Sequence, residues 1–279
     1  MVNYELWMGK NMKWIPEADE AVAKVPFFVR KRVKARVEEE ARKAGKTVIS
    51  IADVKATQKR FLAGMTSEVK GYQLDACFSS SGCSHGIEVG DGFVEKLEAL
   101  IKGAGLLSFL KETVGPDLKF HHDFRVTIAN CPNACSQPQI KDIGIIAACR
   151  VQVGDILCSG CGACVQICRE DAISQEGESQ PELDMDRCVA CGQCLAVCPT
   201  GTLIEAERGH RVQLGGKLGR HPQLARELNG IFDPDTVLEI VQACLDLYMA
   251  KNANGRRFGD ILTSEDVKQL NDRFSTVGK

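Results

Sequence analysis

Apolar residues recur along this chain with two periods. Phe124, Val126 and Ile128 alternate with Arg125 and Thr127, the period-two pattern of a strand. That alternation sets Arg125 on one face with Thr127 and Ala129, pointing the way the strand delivers Cys131. The stretch DIGIIAACRVQV (142–153) predicts a second strand. Helical spacing takes over nearer the ends. Val29, Val33, Val37 and Ala41 fall four apart within PFFVRKRVKARVEEEARKAG (26–45), with Pro26 suited to a first turn and Gly45 to a stop. Val237, Val241, Cys244 and Tyr248 form one stripe in PDTVLEIVQACLDLYMAKNANG, a helix ending near Gly255. Thr263-x-x-Asp266 then opens a last helix as a variant of the capping box. On these patterns Cys149 and Cys244 are core thiols rather than ligands.

Composition narrows the class. The 279 residues, with a net charge of -2, are enough for about two domains and give no global reason to expect nucleic acid or an anionic membrane as partner. Basic Arg30, Lys31, Arg32, Lys34 and Arg36 are followed at once by Glu38, Glu39 and Glu40, so they read as the solvated face of an amphipathic helix. No apolar run has the length of a membrane span, and MVNYELWMGKNMKW lacks the pattern of a secretory signal. A cytoplasmic protein is the expectation. In such a reducing compartment the 14 cysteines are better read as metal ligands than as disulfides.

Their spacing bears this out. CSGCGACVQIC and CVACGQCLAVC each follow C-x2-C-x2-C-x3-C, the two-cluster ferredoxin spacing in which the fourth cysteine of each run serves the other cluster. Cys158, Cys161, Cys164 and Cys198 are therefore assigned to one 4Fe-4S cluster, and Cys188, Cys191, Cys194 and Cys168 to a second. Zinc knuckles would leave half of each run without a reason. Pro199 follows the second run, whereas Arg169 stands in the corresponding place after the first. Upstream, Cys77 and Cys83 in CFSSSGC, with Cys131 and Cys135 in CPNAC, supply four more thiolates, a full set for a third cubane built from two loops.

The doublet resembles bacterial ferredoxin domains over 153–207. The C-x5-C and C-x3-C pairs, the segment KFHHDFRVTIANCPNACSQPQIKDIGI and the later RVQLGGKLGRHPQLA (211–225) resemble the sulfite and nitrite reductase family, in particular dissimilatory and anaerobic sulfite reductases that carry an inserted ferredoxin. The resemblance covers most of 70–250. It implies an α+β fold: a sirohaem-reductase-type mixed domain in two parts (70–152 and 208–279) around an inserted ferredoxin domain (153–207), behind an N-terminal helical module (1–69). That module resembles one found on some sirohaem proteins and on a subunit of light-independent protochlorophyllide reductase.

The same resemblance implies three 4Fe-4S clusters and a sirohaem, with Cys135 bridging cluster and haem iron. It implies six-electron reduction of sulfite to sulfide, or of nitrite to ammonia, driven by a low-potential electron donor. Lys119, His121, His122 and Arg125 are the candidates for proton supply and charge neutralisation. Arg125 would meet the oxyanion or a sirohaem carboxylate, with a structural ion pair as the alternative. His85, His210 and His221 read as structural. Complete enzymes of this family carry two related halves, and this chain has one, so a homo-oligomer or a second reductase subunit is expected. A three-cluster electron-transfer subunit without haem is the reading of a different class.

Overall fold

The computed structural model describes residues 12–77, 83–177 and 179–275. The first eleven residues, read above for a signal, and the interior of CFSSSGC lie outside these ranges. The chain divides into two compact units, 1–68 and 69–279.

In the first unit the elements run β1 (Lys13–Trp14), α1 (Pro16–Ala23), α2 (Phe27–Lys43), β2 (Val48–Ile49) and α3 (Ile51–Glu68). The two short strands pair in parallel. The predicted α2 stripe faces inward: Val37 and Ala41 are buried with Ala18 and Ile49, and Val33 packs beside them. Gly45 stops the helix at φ 69°, a conformation other residues resist. The acidic run after the basic one has internal work. Glu38 accepts from the Trp14 indole at 3.0 Å, and Glu40 accepts from Thr57 at 2.8 Å and from Arg60. The α3 start is sealed reciprocally: the Asp53 carboxylate accepts from the Ser50 N–H at 2.9 Å, and Lys46 and Ser50 together hold that carboxyl down at about 2.

The second unit begins β3 (Tyr72–Ala76), α4 (Phe93–Gly103), α5 (Leu106–Val114), β4 (Phe124–Ala129) and β5 (Ile143–Val153). It continues with α6 (Ala163–Ile167), β6 (Ile173–Ser174), β7 (Glu182–Leu183), α7 (Gln193–Val197), β8 (Leu203–Leu214) and β9 (Arg226–Glu227), and closes with α8 (Pro234–Lys251), α9 (Phe258–Ile261) and α10 (Ser264–Phe274). Five strands form one sheet in the order β3-β4-β5-β8-β9; the first three are parallel and the last two antiparallel. Phe124, Val126 and Ile128 pack into the main core with Leu97 and Ile101 of α4 and Val237, Val241, Cys244, Leu245 and Tyr248 of α8. Each such fully buried side chain contributes about 1.5–3 kcal/mol of transfer free energy. Cys244 is completely buried, as its stripe predicts.

Thr127 and Ala129, on the opposite face of β4, are buried too. The chain after β4 folds back beside them: the Thr127 hydroxyl lies 3.4 Å from the Ser136 carbonyl, and Ser136 donates to the Ile128 carbonyl at 2.9 Å. Period-two alternation therefore places polar Thr127 where burial is complete, because the cysteine-bearing loop takes the place of solvent. Gly216 of GGKLG serves this loop. A Cβ on Gly216 would stand 2.4 Å from the Gln139 carbonyl oxygen, so only glycine allows the approach.

β5 and β8 pair along their whole length, from Ile143 opposite Leu214 to Val153 opposite Leu203. The Gly154 N–H then donates to the Thr202 carbonyl at 2.7 Å. Residues 154–202 thus leave and return at the tip of one hairpin. The capping box at Thr263 forms in full, with Asp266 returning the bond to the Thr263 N–H at 2.8 Å.

His210 on β8 stacks on Phe93, ring centroids 4.6 Å apart, and burial lowers its pKa to about 4. A depressed histidine adds stability above its unfolded value, and that stability is lost as pH falls from about 6.5 to about 4. At most about 3 kcal/mol rides on this one group. Replacing His210 by Phe should flatten this part of the acid limb in urea unfolding followed against pH.

Candidate metal centre

Two short helices repeat one piece of backbone. Gly162 before α6 and Gly192 before α7 share φ 67° and ψ 4°; Cys168 and Cys198 end the helices at φ/ψ of -72°/109° and -75°/108°. Identical spacing has folded into identical geometry, and the helices pack on each other through Cys164, Cys168, Cys194 and Cys198. Burial pushes the Cys194 thiol up to about 12, with Cys191 and Cys188 beside it adding to the shift. Burial also raises Cys164, with Cys158 and Cys161 nearby. The groups of each run are therefore drawn together in an environment that penalises free thiolate unless a cation is present. Among the described residues no three thiol, imidazole or carboxylate groups converge as the site of a single ion. A cubane's ligands stand around a larger body.

A cavity of about 170 Å³, far above the ~10–15 Å³ that one water requires, is lined by Cys168 together with Cys188, Cys191 and Cys194. None of Cys158, Cys161, Cys164 and Cys198 is among its lining residues. Backbone donors already point at sulfur elsewhere in the segment: Gly160 N–H to Cys158 at 3.5 Å and Ala172 N–H to Cys168 at 3.3 Å, while the Gln175 amide reaches Cys158 at 2.9 Å. Such donors tune the potential of sulfur-ligated iron.

The same cavity is also lined by Cys131, Pro132 and Asn133. Ala134 and Gln137, at φ 54° and 59°, bend the chain back below them. Cys131 is raised by burial, eased by the backbone N–H of Asn133, and raised further by Cys135, Cys77 and Cys83, so these four thiols are neighbours. The Asn130 N–H donates to Cys77 and the Asn133 amide to Cys135, both at 3.2 Å. Cys135 and Cys83 are exposed. Cys149, predicted as a core thiol, is buried and also lines the cavity; its Sγ lies 3.0 Å from where a Cβ on Gly192 would stand.

Lys119, His121, His122 and Arg125 collect at the other end of β4. Arg125 stands four residues before Ala129, about 13 Å along the strand from the end that carries the thiols. His121 is lowered by burial first, then by the cations Lys119, Arg125 and Arg257. His122 is likewise lowered by burial, and its Nδ1 accepts the Lys119 N–H at 3.1 Å. Arg257 was missed by sequence reasoning, since only the fold brings it from beyond α8 to this point. It grips Asp142 with bonds of 3.2 and 2.7 Å, and the Arg125 N–H donates to the same carboxylate at 2.9 Å. The Arg125 side chain reaches the Phe120 carbonyl at 3.5 Å, while its buried Nε has no hydrogen-bond partner among the described residues. This cluster of cations, with an unspent buried donor, suits an anionic group. Asp123 of DFR is turned inward, accepting the Gly71 N–H at 2.9 Å. His221 takes no part in these arrangements.

Comparison with known proteins gives the family of the second unit. Residues 95–274 match the family described as nitrite and sulphite reductase 4Fe-4S domain, and residues 14–57 match the proto-chlorophyllide reductase 57 kD subunit. The coenzyme F420-dependent sulfite reductase of Methanocaldococcus jannaschii is 32% identical over 127 residues, 46% of this chain and 20% of that protein. The dissimilatory-type sulfite reductase subunit beta of Archaeoglobus fulgidus is 27% identical over 112 residues, 37% of this chain and 31% of that protein. The chain thus spans a minor part of both relatives. Among solved structures, dissimilatory sulfite reductase I superposes with a TM-score of 0.45 at 16% identity, covering 79% of this chain and 60% of that one. No helix among the described residues is long and apolar enough to cross a membrane.

Complete burial pushes the Asp142 carboxyl up, against the pull of Arg257 and of the Arg125 N–H. Arg257→Met should leave a buried charge without its partner and cost about 3–5 kcal/mol in urea unfolding at neutral pH. A carboxyl raised in the folded state gains stability from protonation, so the loss should shrink as pH is lowered.

Proposed function

The chain belongs to the nitrite and sulphite reductase 4Fe-4S domain family, and from that premise we propose that it is a sirohaem- and 4Fe-4S-dependent reductase. The reaction proposed is six-electron reduction of sulfite to sulfide, fed through its own 154–202 segment. One observation carries the reading: Cys168 joins Cys188, Cys191 and Cys194 around a cavity that Cys131, Pro132 and Asn133 also line. A relay segment and a reducing centre would be arranged in this way, with one ligand set abutting the other.

The residues present fit the groups proposed. Cys158, Cys161, Cys164 and Cys198 would hold one cluster; Cys188, Cys191, Cys194 and Cys168 a second; and Cys77, Cys83, Cys131 and Cys135 a third, with Cys135 bridging to the sirohaem iron. Bound there, the clusters supply one-electron relay and the haem iron supplies the point of anion reduction. Cys135 keeps an exposed side while lying beside Cys131, as the bridging role proposed for it requires. Arg125, Lys119 and Arg257 offer cations to cofactor carboxylates or to the oxyanion, and the unpartnered Nε of Arg125 is the donor left for that purpose. His121 and His122, held toward the neutral form by burial and by neighbouring cations, are placed to pass protons rather than to carry charge. A second subunit, or a second copy of the chain, would complete the basic enclosure, in keeping with relatives that are named as subunits.

Protein purified without oxygen should carry about twelve non-haem irons and a tetrapyrrole, and should turn over sulfite with a low-potential dye. Twelve irons without tetrapyrrole would instead establish a three-cluster electron-transfer subunit, and turnover of nitrite in preference to sulfite would change the substrate. Cys135→Ser should abolish magnetic coupling between haem and cluster while the signals of the 154–202 segment persist. Because that segment hangs from one hairpin tip, replacing it by a two-residue turn between Val153 and Leu203 should slow haem reduction by a ferredoxin-like donor.

A further inference from the structure

The loop 83–89 makes two bonds that no motif accounts for. Toward the inserted segment, the Gln193 side-chain amide lies 2.5 Å from His85 Nδ1, and since an amide nitrogen only donates, the ring nitrogen accepts. Toward the sheet, the Ile87 N–H donates to the Asn130 carbonyl at 2.7 Å. Gln193 sits between Cys191 and Cys194, Asn130 immediately precedes Cys131, and His85 follows Cys83 by two residues. One short loop therefore holds the second ferredoxin run on one side and the Cys77/Cys83/Cys131/Cys135 set on the other.

The joint is packed as well as bonded. Ile87, Ala147 and Cys149 form a small buried cluster against which Val89, Cys131 and Leu195 pack. From the sheet side the Cys149 N–H donates to the Ala190 carbonyl at 2.7 Å, and Gly192 lies so close to Cys149 that an added Cβ would come within 2.9 Å of its own. The stretch 190–193 is thus clasped between β5 and the 83–89 loop. The Cys158 set does not line this cavity.

We propose that His85 is a positioning residue for electron transfer, locking the Cys188/Cys191/Cys194/Cys168 set against the Cys131 set through Gln193. This rests on the cluster reading given above and deepens it. An electron passing across the joint oxidises the donor-side centre and reduces the acceptor-side centre by one, with no bond made or broken; the low-potential donor replaces it. What the chain contributes is a fixed gap, and the His85–Gln193 bond is the polar contact that spans it directly. It follows that the Cys188 set faces the reducing centre, while the Cys158 set lies on the donor side.

The test uses the full chain, purified anaerobically with its clusters and reduced with dithionite, in three forms: unaltered, His85→Ala and His85→Asn. Iron is assayed on each, and electron paramagnetic resonance spectra are recorded for coupling between clusters. The unaltered protein should show coupling that involves the Cys131-set cluster. His85→Ala should lose that interaction with iron content unchanged, and His85→Asn, whose amide oxygen stands where Nδ1 stood, should restore it. Gln193→Ala should repeat the loss. Full iron with undiminished coupling in His85→Ala overturns the positioning role alone. Iron far below about twelve per unaltered chain overturns the cluster reading and this inference with it. A merely structural role would lower thermal stability and iron content without a separate, Asn-rescued change in coupling.

Discussion

The antiparallel ladder between β5 and β8 is the constraint on which everything else in the second unit depends. β5 lies between β4 and β8, and β8 between β5 and β9, and the hairpin cannot slip by one residue without turning every side chain to the wrong face. At one end it leads into Gly216, which packs against Gln139 and Lys141 beyond the cysteine loop, and Gly215, which packs against Gly259 and Leu262. At the other it closes on Gly154 and Thr202. A segment of sulfur ligands can be suspended from such a tip because the ladder, rather than the segment's own small core, supplies rigidity. Register shifts between Arg150 and Val151, and a bulge of this kind increases local twist just where the segment departs.

Charge is distributed to match. The thiol-rich end of the sheet carries few cations close to sulfur, Arg208 beside Cys149 being one. Backbone and amide N–H groups reach sulfur there, at Cys77, Cys135, Cys158 and Cys168. Cations gather at the start of β4 instead, where Asp142 ties Arg257 to the sheet and leaves Arg125 with a donor to spare. The two ends are joined by one strand, so an anionic group broad enough to span them would read both.

The first unit is held by its own small core and its own ion pairs. Trp14, Glu38, Glu40 and Arg60 show why its central helix alternates a basic and an acidic run: part of the acidic run is used for internal bonds. Phe27 and Phe28 stand exposed at the start of α2. Burial there follows the Val33–Val37–Ala41 stripe, and the two phenylalanines lie outside it.

Local chemistry was legible in the sequence wherever one contiguous stretch carries it. Cysteine spacing within each run, the α2 and α8 stripes, the Thr263–Asp266 box and the burial of Cys149 and Cys244 are all set by neighbours a few residues away, and short-range geometry is what spacing encodes. Decisions between distant stretches belonged to the tertiary structure. It puts the Cys188, Cys191, Cys194 and Cys168 set, rather than the Cys158 set, around one cavity with Cys131. It draws Arg257 to Asp142 and Arg125 over more than a hundred residues, and makes His85 a partner of Gln193. It also separates the basic candidates around Arg125 from the thiols along the length of β4. The reason is physical: a strand has a direction and a rise per residue, so residues adjacent in a motif are carried to opposite ends, while packing makes neighbours of residues that no local pattern connects.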